Sequence, residues 1–329
     1  MTKKFGFIDK AGTIVISPQF GPGSAFCEGL ASVRIGDKTT GKNDLVYLQG
    51  KYGFIDKSGQ IVISPNFDFA FRFSEGLASV LVGDRTNGKY GFIDKSGRIV
   101  ISPQWDSTDR FSQGLALVRV GDSINGQYGF IDKTGTLVIS PQFDFAYGFS
   151  EGLAPVLIGD KATGKFGFID KTGTLVISPQ FDFAYGFSEG LASVRFGDTT
   201  NGKFGFIDKT GALVINPEFD REPVSSYDGF SEGLASIRVG DAQTGNFGFI
   251  DKSGAIVISP QFDYVEPFSD GLALILIGDR ISRRNGKYGF IDVTGKMVVE
   301  PQFDYAYGFS EGYAMVRTDD GARRGLFRR

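Results

Sequence analysis

Aspartates are the most regularly spaced reactive groups in the chain, and they recur in three settings. One follows Phe-Ile, as in Asp132 and Asp170; one follows Gln-Phe, as in Asp144 and Asp182; one follows Gly, as in Asp160 and Asp198. Glycoside hydrolysis needs two carboxylates, but as a special pair in a unique cleft. These aspartates return in nearly every unit of the sequence. Their expected role is therefore structural, accepting backbone hydrogen bonds at turn edges. Loops such as Asp198-Thr-Thr-Asn-Gly202 also offer oxygen ligands of the kind calcium takes. Each holds few carboxylates and is usually followed by a lysine, here Lys203, so no metal and no other cofactor is expected.

Histidine is absent from all 329 residues. That removes Ser-His-Asp and Cys-His nucleophilic catalysis, His-based zinc sites and the usual proton shuttle. The single cysteine, Cys27, stands in Phe-Cys-Glu-Gly where most other units read Phe-Ser-Glu-Gly. A reactive thiol wants a basic neighbour, so Cys27 reads as a substitution in a turn. One cysteine also excludes an internal disulfide framework. Gly-x-Gly and Asn-Gly-Lys elements could cradle phosphate only with a helix following them, and they lie in strand-to-strand hairpins. The alternating aromatics Phe143, Phe145, Tyr147 and Phe149 could stack on sugars or single-stranded nucleic acid. Recurring at period 2 in nearly every unit, they are expected in the core instead. A formal net charge of −3 provides no field for nucleic acid or an anionic membrane, so neither is an expected partner. No catalytic residue emerges, and the chain reads as a non-enzyme.

The elements that hold these residues come from a repeat. The motif [Lys/Gln/Asn]-[Tyr/Phe]-Gly-Phe-Ile-Asp begins at residues 4, 51, 89, 127, 165, 203, 246 and 287, giving a basic period of 38. Phe130–Ala154 and Phe168–Ala192 are identical, and a partial ninth copy lies at 324–329. The whole chain, 1–329, thus forms a single array. In the unit that starts at Lys165, four strands are expected. Phe166–Asp170 leads through a Lys-Thr-Gly turn to Leu175–Ser178, rich in β-branched residues and stopped by Pro179. Phe181–Phe187 alternates aromatic with small or polar, as a strand with one apolar face would. Leu191–Gly197 follows the Ser188-Glu-Gly190 turn, and Asn201-Gly202 suits the hairpin that returns to the motif. No segment carries a 3.6-residue apolar period over helical length.

Both faces of such a sheet are apolar: Ala116, Val118 and Val120 lie on one side, Leu115 and Leu117 on the other. A 38-residue sheet alone would have close to zero net stability, so neighbouring units must pack on it. The class is all-β, eight antiparallel meanders of about 38 residues, favouring a closed eight-bladed propeller-like ring. In that reading a blade runs from the Leu-Ala strand to the aromatic strand, and Gly312–Arg317 supplies the strand that the first blade lacks. An open β-solenoid is the alternative.

With Gly88-Lys-Tyr-Gly-Phe-Ile-Asp-Lys-Ser-Gly97, the following Ile-Val-Ile-Ser-Pro and the recurrent Phe-Ser-Glu-Gly-Leu-Ala in view, the chain resembles the bacterial WG-repeat (KWG-repeat) proteins. The name-giving Trp-Gly is Tyr-Gly or Phe-Gly here, and Trp105 sits elsewhere. One aromatic for another preserves the packing role. The resemblance implies an interaction module and carries no catalytic residue across.

The expected function is thus a non-enzymatic protein-interaction or structural scaffold, with a carbohydrate-binding, lectin-like array as the alternative. Three insertions break the period, at Thr39–Gln49, Arg221–Asp228 and Ile281–Arg284. The first and third fall in the same hairpin of their units, and inserted loops on a rigid scaffold are where specific binding concentrates. Tyr47, Arg280, Arg283 and Arg284 are the candidate edge for a protein partner. With no apolar leader or membrane-length run in the sequence, a cytoplasmic address is expected.

Overall fold

The computed structural model describes residues 4–38, 49–84, 86–198, 202–220, 229–240, 244–278 and 286–317, and every regular element among them is a β-strand. One unit shows how the sequence builds its sheet. An inner strand, Phe145–Ala146, leads to a second, Leu153–Ile158, a third, Lys165–Asp170, and an outer one, Leu175–Phe181. Ser150 and Leu153 exchange both backbone hydrogen bonds, at 2.9 and 3.1 Å, across Glu151 and Gly152. Both central residues have positive φ, 51° and 92°, the signature of a type I′ hairpin.

The glycine of the motif has a separate cause. A Cβ on Gly167 would meet the carbonyl oxygen of Ile177 at 2.6 Å and the nitrogen of Pro179 at 3.0 Å. The ladder shifts register between Phe166 and Phe168, so the outer strand bulges against the bare backbone at Gly167.

Among the described residues eight such sheets occur, six with four strands and two with three, each in simple meander order. Blades 1 to 7 follow the chain, with second strands beginning at Leu30, Leu77, Leu115, Leu153, Ala192, Ala235 and Leu272. Blade 8 is composite. Tyr305–Ala306 and Ala314–Arg317 from one end of the chain pair with Phe5–Ile8 and Ile14–Phe20 from the other. Phe5 lies opposite Arg317 and Ile8 opposite Ala314. The fold is an eight-bladed β-propeller.

Three expectations need correction: the outer strand runs through Pro179 to Phe181 instead of stopping at the proline. The aromatic stretch Phe181–Phe187 is not one strand: Phe181 ends the outer strand of blade 4, and Phe183–Ala184 opens blade 5. The chain crosses between blades at Asp182, which hydrogen bonds from both sides anchor. A blade therefore begins with the aromatic strand instead of ending with it. In consequence the far end of the chain contributes two strands to the closing blade, the expected Ala314–Arg317 and also Tyr305–Ala306.

The core lies between blades. One cluster joins Phe166, Phe168 and Ile177 of blade 4 to Phe187, Val194 and Ile207 of blade 5. The motif phenylalanine of each blade meets the Phe-Ser-Glu-Gly phenylalanine of the next, as in Phe130–Phe149 and Phe290–Phe309, with ring centroids 4.8 and 4.7 Å apart. Each blade thus hides both apolar faces only by having two neighbours. No helix among the described residues is long and apolar enough to cross a membrane.

Candidate functional site

The recurrent aspartates are engaged in holding turns and seams. Asp132 accepts the N–H groups of Thr134 and Thr136 at 2.8 and 3.0 Å, fixing the turn from third to outer strand. The hydroxyl of Ser96 and the backbone N–H of Arg98 hold Asp94 at about 2, against partial burial that would raise it. Asp160 accepts from Ala162 and Thr163 within its own loop, both at 2.8 Å. The Gln-Phe-Asp carboxylates link blades: Asp182 pairs with Lys165 of blade 4 and accepts the N–H of Gly197 in blade 5 at 2.8 Å. Burial alone would raise Asp182, but those partners and Arg195 bring it below the ordinary range. Among the described residues no three His, Cys, Asp or Glu gather as a metal site would require.

On the face opposite Asp160 and Asp182, the Ser-Glu-Gly hairpins form a ring that the sequence reading treated as plain turns. Glu28, Glu75, Gln113, Glu151, Glu189, Glu232, Asp270 and Glu311 each accept the glycine N–H of the next blade's hairpin, at 2.6 to 3.1 Å. The ring closes, because Gly29 of blade 1 donates to Glu311 of blade 8. Lys57, Lys95, Lys133, Lys209 and Lys252 add ion pairs to five of these carboxylates at 3.0 to 3.1 Å. At five seams the hairpin serine also donates to a phenylalanine carbonyl in the next blade, as Ser188 does to Phe230 at 2.6 Å. Cys27 replaces that serine in blade 1; its Sγ lies 3.9 Å from Ser310 Oγ.

All eight acceptors sit at φ between 51° and 57°, a left-handed conformation that Asn or Gly adopts at lower cost. Asp270, one methylene shorter than Glu, still reaches Gly312 at 2.6 Å, so what Asn would give up is the carboxylate's charge. The Glu-Gly pairing, unusual for a type I′ turn, was the signal available in the sequence.

Inside the ring, the inner strands surround an axial cavity of about 1120 Å³. The aromatic alternation divides here: Phe143 is buried away from the cavity and Phe149 is buried at its wall, while Phe145 and Tyr147 line it with their rings 5.0 Å apart. Tyr147 lies 5.9 Å from Tyr185, and Tyr305 lies 5.1 Å from Tyr307. Burial and the adjacent Tyr305 push the Tyr307 hydroxyl well above its ordinary value, so it stays neutral. Blade 3 departs from this pattern with Asp109 and Arg110, and blade 7, opposite it in an eight-membered ring, with Glu266. Glu266 accepts the N–H of Gly308 at 2.9 Å. This wall can stack against a ligand and hydrogen-bond it.

The second-strand arginines do not form an exposed surface. Arg34 and Arg238 are each 5% exposed. Arg119 lies over Tyr128, Arg195 over Phe183 and Arg317 over Phe5, at 5.9, 5.6 and 5.5 Å. The proposed partner edge, Tyr47, Arg280, Arg283 and Arg284, lies outside the described residues. The hairpins that carry it belong to blades 1 and 7, the two neighbours of composite blade 8.

A family model for a WG-containing repeat matches residues 5–38, 52–85, 90–122, 128–161, 166–199, 204–241, 247–280 and 288–321. No curated protein matches the chain. Among solved structures, the β-propeller domain of the trilobed protease from Pyrococcus furiosus is 9% identical, with a TM-score of 0.51, covering 86% of this chain and 97% of that one. A structure from a study of two prolyl endopeptidases is 12% identical, with a TM-score of 0.57, over 90% of this chain and 48% of that one. Puromycin hydrolase is 14% identical, with a TM-score of 0.51, over 89% and 55%. The chain spans about half the length of these last two, and likeness at such identity is of the fold alone.

Proposed function

We propose that this chain, which belongs to the WG-containing-repeat family, works as a non-enzymatic scaffold that binds a protein partner. The observation that carries this reading is the division of labour among its polar residues. The acidic residues that recur, from the Ser-Glu-Gly ring to the aspartates at turns and seams, are largely tied into the backbone or to lysines of adjoining blades. What recurs is engaged in holding the ring; what differs between units is left to give specificity. Two of the three breaks in the period fall in the hairpins of blades 1 and 7, which carry Tyr47, Arg280, Arg283 and Arg284. Arginine and tyrosine are the residue types that anchor protein interfaces. The chain would be immobilised and exposed to lysate of its source cells, beside a variant carrying Arg283→Ala and Arg284→Ala. The reading expects a discrete protein retained at moderate salt and weakened at least tenfold in the variant, with unchanged thermal melting. Equal capture by both chains would refute the edge.

A second reading rests on the axial cavity, where Phe145, Tyr147 and Tyr307 offer aromatic faces beside hydrogen-bonding groups, the combination a sugar ring uses. It expects glycan binding that Tyr147→Ala abolishes. Silence on a glycan array would dispose of it.

A further inference from the structure

On the face that bears the long hairpins, five aspartates at the ends of outer strands each hold the ammonium of a lysine: Asp68 with Lys51, Asp106 with Lys89, Asp182 with Lys165, Asp220 with Lys203, and Asp304 with Lys287. Asp68, Asp106 and Asp182 also accept a glycine N–H from the next blade, at 2.8 to 2.9 Å. In the same three units the aspartate's own N–H reaches a second-strand carbonyl of the next blade, at 2.9 to 3.0 Å.

The seam between blades 3 and 4 is built differently. Gln127 occupies the lysine position, and Asp144 has no side-chain hydrogen bond or ion pair among the described residues. The backbone bond to Leu157 is also missing there, although its counterparts form at the seams of Asp68, Asp106, Asp182 and Asp304. Loss of the lysine does not by itself open a seam. Between blades 6 and 7 Asn246 takes the lysine position, yet Asp263 still accepts from Gly278 at 2.8 Å and donates to Leu276 at 3.1 Å. On the other face, the same blade 3–4 seam has Gln113 where the ring elsewhere has a carboxylate, so it carries no ion pair there either. At this seam a cavity of about 530 Å³ opens, with Asp144, Gln127, Gln142 and Gly159 among its polar lining and Leu157 and Leu175 among its apolar lining.

We propose that this niche binds a primary alkylammonium group, the chemistry shared by a lysine side chain on another protein and a free aliphatic diamine. Asp144 takes the ammonium, in the place that a lysine of the chain fills in five sister units. Leu157 and Leu175 flank the methylene stem, which favours an amine on an apolar chain over a bare cation. An ammonium drawn into a partly buried site against a lone carboxylate gains a charge-assisted hydrogen bond. The proposal stands independently of the scaffold reading, and failure of either leaves the other intact.

The test uses the full-length chain, labelled with nitrogen-15, and follows the Gly159 amide by NMR. Three probes are titrated: Nα-acetyl-lysine N-methylamide, cadaverine, and Nα-acetyl-norleucine N-methylamide as the uncharged control. Saturable shifts of Gly159 are expected with an ammonium probe, at affinities on the order of 1 mM for so small a contact, and none with norleucine. Saturation by the lysine amide alone identifies a protein lysine as the source, and saturation by cadaverine alone identifies a free amine. Asp144→Asn should abolish the shifts. Gln127→Lys should abolish them as well, because the chain's own ammonium then fills the niche, and this variant decides the matter if Asp144→Asn fails to fold. Absence of saturation with both amines, or unchanged binding in Gln127→Lys, overturns the proposal.

Discussion

Glu151 shows what a single residue does in this ring. It holds φ at 51° and so accepts local strain, while its carboxylate binds the Gly190 N–H at 3.1 Å and Lys209 at 3.0 Å across the seam. Replacing it with alanine leaves the strain and removes both partners. Glu151→Ala should destabilise the chain by about 1–3 kcal/mol, the range for losing a hydrogen bond to a charged group, as read from urea unfolding. Glu151→Asn suits the turn better but loses the charge that holds Lys209, and it too should fall below the parent chain. The same carboxylates set the pH dependence. Burial would raise Glu75 and Glu311, but lysine and glycine donors more than offset it and leave both below the ordinary value. The side-chain bond from Ser96 brings Asp94 down to about 2. A carboxylate with a lowered folded-state value contributes stability above its unfolded value, and loses it as pH falls through the folded one. With no histidine in the chain, melting temperature should be flat from about pH 5 to 8 and should fall progressively below about pH 4. A step near pH 6.5 would contradict this.

At the scale of the element, strand content and the hairpins were legible in the sequence because period-2 alternation and Asn-Gly or Glu-Gly turns leave local marks. The assignment of strands to blades was not. Phe181-Asp-Phe-Ala-Tyr-Gly-Phe187 alternates without interruption, yet Asp182 is pulled to Lys165 on one side and Gly197 on the other, and the chain changes blade there. That tie joins residues 15 and 17 positions apart, beyond any local pattern. The Ser-Glu-Gly ring was hidden for the same reason, since its bonds span about one full unit, as from Glu151 to Gly190. The motif glycine is legible only once the outer strand is in place. Gly167→Ala forces a methyl group against Ile177 O and Pro179 N, and should cost about 1–3 kcal/mol, the usual range for overpacking. Alanine at half-buried Gly190, where a Cβ meets nothing within 4 Å, has only the strain of φ at 88° to bear. Urea unfolding of the two variants would separate the steric cause from the conformational one.

Over the whole molecule, the ring needs both ends of the chain in blade 8, where Phe5–Ile8 pairs with Ala314–Arg317. Closure gives every blade two neighbours, which is why a chain of small sheets, each apolar on both faces, can stand in water. The repeat count and the strand at the far end favoured a ring over an open solenoid, and the pairing of the two ends decides for the ring. The partner edge has no such internal check, because insertions mark where units differ without showing what they meet. The molecule divides into a repeated frame and an unlike arc at blades 7, 8 and 1. Cross-linking mass spectrometry of the chain in lysate of its source cells tests that division most directly. Intermolecular cross-links are expected to concentrate on residues flanking the hairpins of blades 1 and 7. Links spread evenly over all eight blades, or confined to the mouth of the axial cavity, would contradict it.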